Sequence, residues 1–185
     1  MTLLQYTLDT LSKLGPLVTA IAVIVAYFTL RANHDWNRRN FASQMISNWN
    51  KQTKPFIDDI EKIEPRIIDF KDGRLTQITQ DFAGEIYFSK YSEESKEWKL
   101  RTRFIHLLNE FEFIAAAYKN AVGDRKMIEE SFKDIFVKWG FVLEHFINIY
   151  KKQRENNEPW GPFHDLYNRW ATEKPSPLRP NTGSV

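Results

Sequence analysis

Leu14 to Leu30 reads LGPLVTAIAVIVAYFTL, seventeen residues with no ionisable group except the phenol of Tyr27, set between Lys13 and Arg31. A stretch apolar on every helical face has few places to go: the centre of a large core, or lipid. As a helix it reaches about 25 Å at 1.5 Å per residue, the short end of the range that crosses a bilayer. Leu11 and its neighbours extend the run if Lys13 snorkels outward along its aliphatic stem. Pro16 lies in the first turn, where a missing amide donor is tolerated. A buried soluble helix would carry polar positions along one face, and this run has none. A cleaved signal peptide would open with a basic region, but Met1 to Ser12 carries only Asp9 and the terminal amine, and no small-residue cleavage site follows Phe28. The expectation is therefore an uncleaved transmembrane helix over residues 14–30, preceded by a short extracytoplasmic N-terminus over 1–13.

Orientation follows from the flanks. Arg31, Arg38 and Arg39 follow the span closely, while its other side offers Lys13 against Asp9. The positive-inside rule puts residues after Arg31 in the cytoplasm. Trp36 is placed to anchor the emerging chain at the lipid surface, and His34 reads as an interfacial polar residue. Lys13, Arg31, Trp36, Arg38 and Arg39 are thus the expected membrane-flanking set.

The remainder is polar enough to bring the mean hydropathy of the 185-residue chain to −0.51. Its apolar residues recur with helical period. Phe41, Met45, Ile46 and Trp49 share a face, predicting a juxtamembrane stalk helix over 31–54, until Lys54-Pro55 interrupts it. Phe56, Ile57, Ile60, Ile63 and Ile67 form the next stripe, which Pro65 should kink or end. Asp72-Gly73 marks a turn. Residues 74–91 fit no single pattern: Ile86-Tyr87-Phe88 has the composition of a short strand, without a second convincing strand to pair with.

Two long stripes follow. Ser92 is placed to cap a helix whose first turn carries Glu93 and Glu94, and Leu100, Phe104, Leu107, Leu108, Phe111, Ile114, Ala115 and Tyr118 lie on one broad face. Gly123 supplies a stop and Asp124 a cap for a second helix bearing Ile128, Phe132, Ile135, Trp139, Val142, Leu143, Phe146 and Tyr150. A short connection between matching stripes predicts an antiparallel helical hairpin. Pro159-Trp160-Gly161-Pro162 is a rigid turn, after which Phe163, Leu166, Tyr167 and Trp170 predict a short terminal helix docking on the hairpin. The fold class is all-α: a transmembrane helix continuing into a cytosolic helical bundle, with the domain over 55–173 and a flexible proline-rich tail over 174–185.

The chain offers little for chemistry. It has no cysteine, which excludes disulfides, thiolate metal sites and thiol catalysis. None of its four histidines, His34, His106, His145 and His164, forms an i, i+4 pair, so no metal and no cofactor is expected. No phosphate loop, nucleophile elbow or kinase signature is present. Asp58, Asp59, Glu61 and Glu64 cluster, but Lys62 and Arg66 lie at helical salt-bridge spacing, and a solvated face explains them. A net charge of +2 does not mark a nucleic-acid binder, and Lys96, Lys99, Arg101 and Arg103 spread around their helix instead of forming a stripe.

The most informative polar residues lie in RTRFIHLLNEFEFIA, Arg101 to Ala115. Arg103, His106 and Glu110 follow one flank at steps of three and four, and Arg101 and Glu112 lie on the other. Such groups border the core and pair with neighbouring helices, or line a groove for a ligand or partner.

The basic exit from the span, NFASQMISNW at Asn40 to Trp49, LLNEFEFIA at Leu107 to Ala115 and FHDLYNRW at Phe163 to Trp170 together resemble small bacterial membrane-anchored proteins with one N-terminal span and a helical cytosolic domain of unknown function. The resemblance implies a bacterial inner-membrane setting. It supplies no catalytic residues, and matches Asn109 and Glu112 as structural or binding groups. Arg101, Arg103, His106, Asn109, Glu110 and Glu112 are therefore the candidate ligand or partner groove.

The function expected is a non-enzymatic, membrane-tethered interaction or sensor module, with the lipid bilayer and a second copy or another protein as partners. The alternative is an oligomeric effector that disturbs the membrane in bacterial stress or phage defence. An enzyme comes third.

Overall fold

The computed structural model describes residues 3–69, 74–154 and 159–173, and within the first helix the side chains from Val18 onward. Six α-helices account for nearly all of it: α1 (Leu3–Asn48), α2 (Lys54–Ile63), α3 (Gln80–Phe88), α4 (Lys96–Lys119), α5 (Arg125–Gln153) and α6 (Gly161–Thr172). The only strands among the described residues are β1 (Ile68–Asp69) and β2 (Arg74–Leu75), an antiparallel pair in the register Ile68 with Leu75 and Asp69 with Arg74. Residues 74–91 thus combine a minimal strand with a helix. Ile86-Tyr87-Phe88 is the last turn of α3, whose N-cap Thr79 accepts from the Phe82 amide at 3.3 Å.

The apolar stripes define the core. All eight residues of the first long stripe are buried in α4. In α5 the stripe holds except at Ile135, which is only partly covered while its neighbour Phe136 is completely buried. Phe104 against Phe146, Phe111 against Phe136, and Tyr118 hydroxyl donating to Glu129 show α4 and α5 running antiparallel. Asp124 caps α5 through the Met127 amide, as its position predicted. The cap of α4 is Ser95, not Ser92: the Ser95 hydroxyl accepts from Trp98, and Ser92 closes the preceding turn with its carbonyl. The helix starts one turn later than expected because Ser92 and Ser95 both suit the cap and local sequence does not choose between them.

The stretch read as a stalk is not uniform. Residues 18–37 of α1 are exposed, while Ala42, Met45, Trp49 and Thr53 belong to the core. Trp49 stacks on Phe111 at 5.4 Å between ring centroids and meets Phe132 edge-on at 5.4 Å. Lys54-Pro55 does not break the chain either. A π-helical turn, Trp49–Thr53, widens α1 by one residue and leads into α2, where Pro55 occupies the first turn. A boundary placed at residue 54 therefore cuts through packed structure.

Among the described residues no helix is long and apolar enough to cross a membrane. The expected span over 14–30 enters the description only from Val18; the side chains of Lys13 and of Leu14 to Leu17 lie outside it, as do Asp72-Gly73 and the tail from residue 174.

Candidate functional site

The six groove candidates on α4 face four different surroundings. Arg103 and His106 do come together, around Phe56 of α2: the Arg103 guanidinium lies 4.8 Å from the ring centre and the His106 ring 4.1 Å from it. Arg103 Nη2 donates to Asp59 Oδ2 at 3.2 Å, while Arg103 Nε and His106 Nε2 are buried without a hydrogen-bond partner in the structure. Aromatic contact substitutes there for hydrogen bonding and ties α2 to α4. Glu110, one turn on, edges a cavity of about 100 Å³ beside Met45, Trp49, Gln52 and Phe113.

Asn109 and Glu112 face α6. Asn109 Oδ1 accepts from Trp160 Nε1 at 2.9 Å, and Glu112 Oε2 from the Phe163 amide at 2.9 Å. Phe163 is a first-turn residue of α6, so its amide has no partner within its own helix and Glu112 supplies one. Burial pushes the Glu112 carboxyl above the ordinary range, against the lowering effect of that bond. Trp160 holds φ 60° and ψ 37°, a left-handed conformation costly for a bulky residue, and its indole is pinned by Asn109 and packed on Tyr150 at 4.7 Å. These polar positions work as the fastening of the last helix.

Arg101 faces the opposite end, where it donates to the Ser89 carbonyl at 3.3 Å and lies over Tyr87 and Trp98 at 5.2 and 5.5 Å. It closes α3 onto α4. Five of the candidates therefore form three clasps, Glu110 edges a separate cavity, and no single groove unites them.

Glu64 is the polar residue that sequence reasoning misplaced. Only 2% exposed, it sits just past α2 and collects four donors: Arg66 Nε at 2.6 Å, Arg66 Nη2 at 2.7 Å, Lys96 Nζ at 2.7 Å and the Arg66 amide at 3.4 Å. The Arg66 guanidinium, with Lys96 adding to it, holds the carboxyl down at about 2 despite burial. Pro65, expected to kink or end the helix, is the reason. It ends the helix, so the i, i+4 spacing of the acidic cluster does not extend to Glu64, and the following 3-10 turn folds Arg66 back on it. The node borders an open cavity of about 360 Å³ lined in part by Thr76, Ile78, Phe82 and Glu85. Among the described residues no three histidine, aspartate or glutamate side chains gather to hold a metal.

The membrane-flanking residues divide too. Arg31 and Trp36 are exposed. Arg38 and Arg39 instead fasten α1 to the α4–α5 loop: the Arg38 carbonyl accepts from the Asp124 amide at 3.1 Å, Arg38 Nη2 donates to the Gly123 carbonyl at 3.4 Å, and Arg39 lies 3.6 Å from the Asp124 carboxylate. Upstream, Val18, Ile21, Val23, Ile24, Val25, Tyr27, Phe28 and Leu30 are each more than half exposed. Their helical angles span about two thirds of the circumference, and Thr19, Ala22, Ala26 and Thr29, also exposed, fill the rest, so α1 leaves the bundle as a bare, largely apolar rod.

No curated protein and no solved structure matches the chain. A family model does match, that of a domain of unknown function, DUF4760, over residues 16–170, and it takes in the exposed segment of α1, the clasps of α4 and the docked α6. The chain belongs to the DUF4760 family.

Proposed function

We propose that the protein is a single-pass, membrane-anchored module of the bacterial inner membrane, non-enzymatic, whose helical bundle acts on the cytoplasmic side by contacting a second copy or another protein. The observation that carries this is the bare rod. Eight large apolar side chains between Val18 and Leu30 are 53–70% exposed on α1. Full burial is worth about 1.5–3 kcal/mol for each, so on the order of 10 kcal/mol of transfer free energy goes unrealised in water. Lipid recovers it without requiring a particular partner surface.

Length and charge support the same placement. The helix is continuous from Leu3, so residues upstream of Leu14 lengthen the stretch available to the bilayer. Arg31, Arg38 and Arg39 on the bundle side favour a cytoplasmic bundle. The polar groups described above mostly hold helices to one another, which fits a recognition scaffold better than a reaction centre.

Alkaline carbonate extraction of membranes from cells making the full chain tests the anchor. The chain should stay in the pellet; release of intact chain into the supernatant contradicts it. Crosslinking in those membranes then separates self-association from capture of another protein.

A further inference from the structure

We infer that the α4–α5 loop is a second membrane contact, seated at the headgroups of the bilayer that receives α1 and selective for anionic lipid. This rests on the reading of Val18–Leu30 as lipid-embedded.

The loop's position follows from the chain direction. Trp49 meets Phe111, Phe56 meets His106, and Asp59 meets Arg103, so α1 and α2 ascend as α4 descends. The loop after α4 must therefore lie at the end of the bundle from which the bare rod emerges. It is held there closely. Asp124 and Gly123 bond to Arg38 as described, and a Cβ on Gly123 would come within 3.3 Å of Phe41 and 2.8 Å of Ile128. Leu30 and Arg38 are eight residues apart on a continuous helix, about 12 Å. The headgroup region extends about 5–7 Å beyond the hydrocarbon on each side, and charge is felt over about 8–10 Å more at ordinary salt. For an untilted helix, a loop fixed at Arg38 thus lies just beyond the headgroups and well within the range of their charge.

Its composition fits that place. Segments 31–39 and 119–126 hold six cations, Arg31, Arg38, Arg39, Lys119, Arg125 and Lys126, against Asp35 and Asp124, a net +4 in a chain whose total is +2. Asp165 and Glu130 approach Lys119 and Lys126 at 3.5 and 3.9 Å, but these pairs are exposed and exchange readily for headgroup phosphate. Val122 in the loop is 50% exposed and Trp36 on α1 65%, an apolar and an aromatic side chain of the kinds that suit a lipid–water boundary. Charge complementarity and continuity with the anchor thus name one occupant, the anionic surface of the same membrane.

The absence of cysteine makes the test clean. Full-length chains carrying Val122→Cys, Ile24→Cys or Phe88→Cys, each labelled with an environment-sensitive fluorophore, are reconstituted into phosphatidylcholine vesicles with and without phosphatidylglycerol. Nitroxide lipids then quench at the headgroup or along the acyl chain. Phe88, at the far end of the bundle and 64% exposed, is the control. The label at 122 should be quenched by headgroup nitroxide in anionic vesicles, and the label at 88 should not. Arg31→Gln and Lys126→Gln should each lower the docked-to-undocked ratio about fivefold. Quenching at 122 no greater than at 88, with the label at 24 still quenched by acyl-chain nitroxide, overturns the loop contact and leaves the anchor standing. Equal quenching at 122 in purely zwitterionic vesicles overturns the anionic preference. An unquenched label at 24 removes the anchor itself.

Discussion

Glu64→Gln isolates the charge at the junction of α2 and α4 without changing its shape. Gln keeps one acceptor but turns a second donor toward Arg66 Nη2, and it removes the charge that Arg66 and Lys96 share. Glu64 titrates at about 2 against the usual 4.5, a difference that linkage converts to about 3 kcal/mol of folding stability at neutral pH. The Arg66 side chain is 80% exposed and that of Lys96 41%, so solvent screening brings the expected loss to about 2 kcal/mol. A depressed carboxyl stabilises the folded state above its unfolded value and loses that contribution as pH falls through the folded one. The gap between wild type and Glu64→Gln should therefore be full at pH 7 and less than half as large at pH 3. Urea unfolding of the full chain in non-ionic detergent, followed by tryptophan fluorescence, should show a midpoint lower by about 1 M at pH 7, taking about 2 kcal/mol per molar urea. An unchanged midpoint at pH 7, or a gap as large at pH 3 as at pH 7, refutes the reasoning.

Glu112→Gln should behave in the opposite sense. Burial raises this carboxyl, so the folded state favours its neutral form and is penalised as pH rises past the unfolded value; Gln keeps an acceptor for the Phe163 amide. Its urea midpoint at pH 7 should equal or exceed that of wild type, and a clear decrease contradicts the assignment. Gly140→Ala places a Cβ 2.3 Å from the Tyr167 ring and should cost about 1–3 kcal/mol, whereas Gly84→Ala in α3 meets nothing within 4 Å and should gain about 0.5–1 kcal/mol; thermal melts of the two should move in opposite directions. Trp49→Ala, removed from between Phe111 and Phe132, should cost about 3–5 kcal/mol by the same urea assay, while a near-neutral result would make residues 41–53 a stalk after all.

Helical periodicity made the hairpin legible in advance because α4 and α5 bury one broad face each along their whole length. Leu100 to Tyr118 could hardly be arranged otherwise. The same logic failed where a stripe changes owner. Phe41, Met45 and Trp49 announce an apolar face, but nothing local states whether lipid, solvent or a bundle will meet it; Phe111 and Phe132, more than sixty residues on, decide that. Glu64 was hidden for a related reason. Counting i, i+4 pairs presumes an unbroken helix, and Pro65 ends it, so a carboxylate read as surface becomes the most enclosed charge among the described residues. Asn109 and Glu112 were marked by the family resemblance as structural or binding groups. Their actual partners, Trp160 and Phe163, are set by a left-handed turn that the residue type at 160 does not announce.

The central claim is that the exposed apolar segment of α1 lies in lipid. Single cysteines placed in turn from Val18 to Leu30 and at Asn37, probed with a membrane-impermeant maleimide in sealed inverted vesicles, test it most directly. The account predicts protection across Val18 to Leu30 until detergent is added and ready labelling at Asn37. Labelling of Ile24 or Phe28 as fast as Asn37, without detergent, would contradict it.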